Sequence, residues 1–263
     1  MNIQRETFKK WIDECDNIVF FGGAGVSTES GVPDFRSVDG LYNQKYDYPP
    51  EEILSHTFFM RNPEAFYKFY RDKLIIKGVQ PNACHRGLAK LEQMGKLKAV
   101  VTQNVDGLHQ MAGSVNVLEL HGAGSRNYCM DCGRFFTMDE WLDFPEVSGA
   151  PAGNDGCCGK REGYNLNGVP HCPCGGIIKP DIVLYEESLD YDTMVKSVEA
   201  IRAAKMLIIG GASLAVYPAA GMIDYFRGKH LVVINKVPSS RDRQADLCIA
   251  EPIGEVFAEV VGA

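Results

Sequence analysis

No apolar segment opens the chain. Arg5, Glu6, Lys9, Lys10, Asp13, Glu14 and Asp16 crowd its start, where a secretory signal needs an uncharged core, so a cytoplasmic protein is expected. Long hydrophobic runs are scarce as well. Met206 to Ile223 is the only uncharged stretch approaching membrane-spanning length. Gly210, Gly211, Ser213, Pro218 and Gly221 interrupt it, so it reads as a buried strand, a glycine turn and a helix start. A basic excess is missing too: 27 Lys and Arg face 34 Asp and Glu, a net charge of -7. That argues against a protein that holds nucleic acid through phosphate neutralisation, and leaves neutral or basic partners. No internal repeat is present. The 263 residues suffice for one large domain, or one domain carrying a smaller insertion. Cysteines number nine, an odd count. Reducing conditions disfavour structural disulfides in a cytosolic chain, so clustered thiols point first to metal.

What is present is an alternation of strands and helices. Phe8, Trp11, Ile12 and Cys15 recur at helical spacing, and the apolar run Ile18 to Phe21 follows and ends in Gly22-Gly23-Ala24-Gly25. Further apolar runs are Leu97 to Thr102, Val115 to Leu120, Ile182 to Leu184, Met206 to Ile209 and Leu231 to Asn235. Helical stretches lie between several of them (Ala83 to Gln93, Tyr191 to Ala204, Ala219 to Arg227). This pattern predicts an α/β fold with a doubly wound, Rossmann-like parallel sheet. In such sheets ligands bind at the carboxyl ends of strands, where the glycine loop, Gln103 to Asp106, His121, Ser213 and Asn235 all fall. Two regions break the alternation. Val38 to Ile76 reads as a helical excursion, and 125–178 is Cys- and Gly-rich and too poor in core residues to fold without a staple. The expected division is a nucleotide-binding domain of 1–37, 77–124 and 179–263, a helical module of 38–76 and a zinc-binding module of 125–178.

Cys129-Met-Asp-Cys132 and Cys172-Pro-Cys174 are two close thiol pairs, able to close a tetrahedron on a structural zinc with no open coordination position. The one-residue spacer of the second pair is tight, which keeps His171 as a substitute for Cys172 and Cys157-Cys158 as a rival pair. Gly23-Ala24-Gly25 after a strand suits close approach to a pyrophosphate. The third glycine of the usual dinucleotide fingerprint is absent, Thr28 standing there, and turn formers follow in place of a clean helix start.

Taken in order, Gly23-Ala-Gly-Val-Ser-Thr-Glu-Ser-Gly-Val-Pro-Asp-Phe-Arg-Ser37, Thr102-Gln-Asn-Val-Asp-Gly-Leu-His109, Leu118-Glu-Leu-His-Gly122, the two cysteine pairs, Lys179-Pro-Asp-Ile-Val183 and Gly211-Ala-Ser-Leu214 through Tyr217-Pro-Ala-Ala220 closely resemble the sirtuins of bacterial type. The resemblance implies a Rossmann-like domain and a small zinc-bearing one, with NAD as co-substrate and an acyl-lysine protein or peptide meeting in a cleft. The implied reaction releases nicotinamide and transfers the acyl group to ADP-ribose, yielding O-acetyl-ADP-ribose and free lysine. Protein mono-ADP-ribosylation and non-catalytic NAD sensing are the alternatives. No nucleic acid or membrane partner is expected.

The resemblance also assigns residues. His121 is the expected base, acting as neutral imidazole on the ribose hydroxyl. Asn104 and Asp106, on either side of Val105, are expected to hold the carboxamide and nearby ribose. Phe35 would cover the reacting face, following Asp34 and preceding Arg36, a cationic fork for phosphate. Gly23, Ala24, Thr28, Gln103, Ala212, Ser213, Asn235 and Ile253 complete the cofactor set. Ala212 stands where relatives carry Thr or Ser, so weaker NAD binding is expected. Val183 and Tyr185, in an extended run beside the acidic Glu186-Glu187, are the expected peptide contacts, against the plain reading of an ordinary buried strand. His85 and His109 read as structural, and Asn82 to His85 as a helix start. Relatives that take acidic acyl groups carry Tyr and Arg three residues apart in the excursion. Here Tyr67 is followed by Tyr70 at that spacing and Arg71 falls on another helical face, so acetyl or a longer apolar acyl group is expected.

Overall fold

The computed structural model describes residues 2–35, 40–41, 48–147, 162–239 and 241–263. In chain order the elements are α1 (Ile3–Glu14), β1 (Ile18–Gly22), α2 (Pro50–Ile53), α3 (His56–Arg61), α4 (Pro63–Lys73), α5 (Ala83–Gln93), β2 (Leu97–Thr102), α6 (Leu108–Met111) and β3 (Val117–Glu119). Then come β4 (Gly122–Cys129), β5 (Phe135–Thr137), α7 (Met138–Leu142), β6 (Glu146–Val147), β7 (Tyr164–Leu166), β8 (Val169–His171), β9 (Ile178–Ile182), α8 (Tyr191–Ala203), β10 (Met206–Gly210), β11 (His230–Ile234), β12 (Leu247–Ile249) and α9 (Ile253–Val261). No described helix is long and apolar enough to cross a membrane. The chain divides into two compact units, one of 1–44, 78–121 and 189–263, the other of 45–77 and 122–188.

The first unit is built on a six-stranded parallel sheet ordered β12-β11-β10-β1-β2-β3. β1 and β10 are buried at every position, as the unbroken apolar runs require of strands covered on both faces. Winding starts at β1, proceeds outward to β3, then resumes at β10 on the other side of β1. The switch point, where such sheets bind ligands, is therefore between β1 and β10. The helices take their ends from the sequence. Asn2 accepts from the Arg5 N–H, Asp190 caps α8, and Asn82 and His85 form a reciprocal capping box on α5. Phe257 of α9 packs edge-on against Phe8 and Phe20, joining α1, α9 and the sheet in one core with Leu88, Val100 and Ile208.

The second unit holds an antiparallel sheet β5-β4-β9, a small sheet β6-β7-β8 and helices α2 to α4 and α7. Its core is aromatic: Phe59, Phe66, Tyr67, Tyr70 and Trp141 are buried and in edge or stacked contact. One sequence expectation changes here. The run at Ile182 is not a strand of the parallel sheet; β9 pairs antiparallel with β4, because the alternating burial of Ile178, Pro180 and Ile182 suits a sheet covered on one face. In the first unit, the helical stretch expected at Ala219 to Arg227 is a 3-10 helix over Ala219–Tyr225.

Candidate active site and cysteine cluster

Two loops interlock at the switch point. The Gly23 N–H donates to the Gly210 carbonyl (3.1 Å) and the Gly25 N–H to the Gly211 carbonyl (2.8 Å). A Cβ on Gly25 would lie 2.8 Å from the Gly211 oxygen. One on Gly211, whose φ is +57°, would lie 2.3 Å from the Val26 nitrogen. The glycines are thus demanded by backbone-on-backbone packing as well as by any phosphate. Ala24–Val26 and Thr28–Ser30 form two 3-10 turns, and the Thr28 hydroxyl donates to the Gly25 carbonyl (3.0 Å). On the other side, Asn235 clasps Ala212. Its Oδ1 accepts from the Ala212 N–H (3.0 Å) and its Nδ2 donates to the Ala212 carbonyl (3.1 Å). Asn235, expected in the cofactor set, thereby fixes the loop after β10. Ser213 is exposed, whereas Ile253 lies in the apolar core at the start of α9.

The ends of β1 and β2 bring the chemistry together. The Gln103 N–H donates to the Gly22 carbonyl (3.0 Å), placing Gln103 to Asp106 beside the glycine loop. Ser27, fully buried, donates to Asp106 Oδ2 (2.6 Å) and accepts from Asn104 Nδ2 (3.0 Å), while Asp106 Oδ1 accepts from the Leu108 N–H (3.0 Å). One hydroxyl thus locks the two polar side chains into a single rotamer pair. Ser27 was missed in the sequence, where its neighbour Thr28 drew attention. The available signal was a hydroxyl two residues past Gly25, in a loop that adjacency of strand ends places against the Asn-Val-Asp turn.

His121 follows β3. Its Nδ1 lies 3.0 Å from the Gln103 carbonyl. A carbonyl only accepts, so Nδ1 carries the proton and Nε2 presents its lone pair. Burial pulls the pKa below the ordinary value of 6.5, opposed by the Gln103 hydrogen bond. The imidazole is therefore neutral at pH 7 and suited to accept a proton. Asp34, Phe35 and Val105 are half-buried, and Arg36 lies outside the described residues.

Behind this network stand two further imidazoles. His85 and His109 are buried, with ring centroids 4.7 Å apart. Burial brings them to about 4 and about 3, Asp106 opposing the shift at His85.

In the second unit, the sulfurs of Cys129, Cys132, Cys172 and Cys174 lie within 4.8 Å of one another, Cys129 and Cys174 at 3.4 Å and Cys132 and Cys172 at 3.6 Å. A tetrahedron with metal–sulfur bonds of about 2.3 Å has edges of about 3.8 Å, so these four thiols fit zinc-sized coordination. Burial raises Cys129 to about 11 and Cys172 further, and an Arg134 backbone N–H lowers Cys132 to about 7. His171 is turned away, stacked on Tyr164 with its Nδ1 on the Val169 carbonyl (2.9 Å). Cys157 and Cys158 lie outside the described residues.

The peptide candidates belong to this unit. The Tyr185 N–H donates to the Leu54 carbonyl and its carbonyl accepts from the His56 N–H (2.9 Å each), so its main chain is already paired; Val183 lies just past β9. Glu187 is held by Lys179, His56 and the Leu184 N–H. Glu186 is exposed at φ +77° and accepts from the Thr57 N–H (2.9 Å).

The switch-point glycine loops define the first unit as a dinucleotide-binding domain, and the second is a smaller module organised about four thiols. The profile described as Sir2 family matches residues 23–218. The chain is 53% identical over 256 residues to the NAD-dependent protein deacetylase of Clostridium acetobutylicum, covering 96% of each, and 49% identical over 260 residues to that of Clostridium tetani, covering 98% and 97%. Among solved structures, a Sir2–p53 peptide–NAD+ complex superposes with a TM-score of 0.81 at 32% identity, over 100% of this chain and 98% of the other. Sir2Tm bound to a propionylated peptide does so with a TM-score of 0.81 at 31% identity, over 99% and 98%. The chain belongs to the Sir2 family.

Proposed function

We infer that His121 is the general base of an NAD-dependent protein-lysine deacetylase. The protein deacetylates acyl-lysine at the expense of NAD, giving nicotinamide, O-acetyl-ADP-ribose and free lysine. The observation that carries the role of His121 is its tautomer: with Nδ1–H fixed on the Gln103 carbonyl, Nε2 is the only basic site it offers. In the chemistry of the family, the acyl oxygen bonds to C1′ of the ribose as the C–N bond to nicotinamide breaks and its electron pair leaves with the pyridine. Asn104 and Asp106, held by Ser27, would orient the carboxamide and ribose for that step. His121 Nε2 would then take the 3′-hydroxyl proton, letting the 2′-oxygen attack the alkylimidate carbon and carry the acyl group to ADP-ribose. Phe35 and Arg36 are assigned water exclusion and phosphate pairing.

Cys129, Cys132, Cys172 and Cys174 would hold a structural zinc. Four soft sulfurs clustered within 4.8 Å of one another suit zinc, which would supply cross-linking, with no role in catalysis. The substrate peptide would pair its main chain at Val183, since Tyr185 is already bonded to Leu54 and His56. A neutral acyl group fits α4: Tyr67 donates to the Ile178 carbonyl, and Arg71 is committed to Asn165 and the Trp141 ring. Nicotinamide release should require both NAD and an acetyl-lysine peptide. His121→Ala should lower peptide deacetylation at least ~100-fold without changing the melting temperature. Full turnover by that variant, or adenylate label retained on protein, would overturn the assignment.

A further inference from the structure

We propose that the opposite rim of the parallel sheet carries a second ligand site, for a small phosphate-bearing anion. Around the N-terminal ends of β1, β10 and β11 lies a cavity of about 640 Å³, lined among others by Trp11, Asp16, Arg202, Lys205, Arg227 and Lys229. Its size is that of small-molecule pockets, ~300–1,000 Å³. The five-residue strands separate it by roughly 16 Å from the glycine loops at their other ends.

The floor is fixed backbone. The Asn17 carbonyl accepts from the Lys205 and Met206 N–H groups (3.0 and 3.2 Å), and its side chain donates to the Ala203 carbonyl (3.0 Å). The Lys205 carbonyl in turn accepts from Lys229 and His230 (2.8 and 3.2 Å). Gly228 is required by this approach, since a Cβ there would lie 2.3 Å from the Ala204 oxygen. One wall is a flat aromatic pair, Trp11 stacked on His230 at 4.0 Å.

The charges over that floor are unbalanced. Four cations face two carboxylates, on a chain whose net charge is -7. Asp16 is matched by Lys205 (2.7 Å) and Glu14 by Lys10 (3.9 Å). Arg227 donates to the Asp224 and Phe226 carbonyls (2.6 and 2.7 Å). Arg202 and Lys229 have no carboxylate partner among the described residues. A guanidinium and an ammonium lining the same fixed backbone floor, neither paired with a described carboxylate, suit an anion such as a phosphoryl group over a neutral ligand.

The test uses the full chain with saturating ADP-ribose, so that the glycine loops are filled. Inorganic pyrophosphate and, separately, ADP are titrated by calorimetry, with tryptophan emission as a second signal; of the two tryptophans Trp141 is buried in the other unit and Trp11 lines the cavity. Saturable binding is expected, weakened about tenfold or more in Arg202→Glu/Lys229→Glu and in the gentler Arg202→Gln/Lys229→Gln, with ADP-ribose affinity unchanged. Tighter binding of ADP than of pyrophosphate would assign a nucleotide, and the reverse a simple polyphosphate. No saturable binding at low ionic strength, or equal affinity in both variants, would overturn the proposal. Deacetylation is not measured, so this result stands apart from the fate of the active-site reading.

Discussion

At the scale of single residues the site depends on buried polar groups whose partners are fully specified. Ser27 is the clearest case, because its one hydroxyl serves Asp106 and Asn104 together. Ser27→Ala leaves the carboxylate with the Leu108 N–H as its one hydrogen-bond donor among the described residues and releases the Asn104 amide. A hydrogen bond to a charged group is worth ~1.5–3 kcal/mol, so kcat/KM should fall about 10- to 100-fold while the fold persists, which steady-state kinetics beside circular dichroism would check. The His85–His109 pair acts on stability instead. Both are held neutral well below the unfolded value of 6.5, so beneath that pH the unfolded chain binds more protons and stability is lost as pH falls toward 4 and 3. Stability should therefore be lower at pH 5 than at pH 7.5, seen as a lower urea midpoint, and His109→Gln should shrink the difference. The sequence could name His121, Asn104 and Asp106 because each sits in a long distinctive string. It could not reveal which donor ties them, since that depends on β1 and β2 lying side by side.

At the scale of elements, the deciding contact is between the loops after β1 and β10. The sequence presents the first set of glycines as a phosphate loop and the second as a turn, far apart in the chain; the fold makes each the reason for the other. Gly211→Ala adds a Cβ 2.3 Å from the Val26 nitrogen at a positive φ, costing ~1–3 kcal/mol of strain and displacing Gly25. The expected result is a rise in KM for NAD of at least about tenfold, with a smaller change in kcat, in initial-rate measurements. Strand periodicity was legible where strands are buried on both faces, as in β1, β2, β10 and β11. It misassigned the run at Ile182, because an apolar stretch does not reveal its partner. The pairing of β9 with β4 is set by residues more than forty positions upstream.

For the whole molecule, the two units are stabilised by different means. The first buries a continuous aliphatic and aromatic core on a six-stranded sheet, and its core cluster contains none of the four clustered cysteines. The second has three-stranded sheets and an aromatic core on α4 and α7, and its β4 and β9 end at the thiols: Cys129 closes β4, and Cys172 and Cys174 precede β9. Two thiol pairs from distant segments, if cross-linked by one metal as proposed, would remove chain entropy that so small a core cannot offset by burial alone. The cysteine spacing made this module visible in the sequence, whereas the choice of Cys172 over His171 rested on side-chain direction and was not. Chelation of the purified protein, or Cys172→Ser, should therefore act unequally. About one zinc per chain should be lost, deacetylation of an acetyl-lysine peptide should fall in parallel, and near-ultraviolet signal from buried Trp141 should collapse. ADP-ribose binding by the glycine loops should persist, measured by calorimetry on the same metal-free sample. Retention of zinc in Cys172→Ser would remove Cys172 from the ligand set, whereas loss of deacetylation and ADP-ribose binding together with all tertiary structure would tie the metal to the folding of the entire chain.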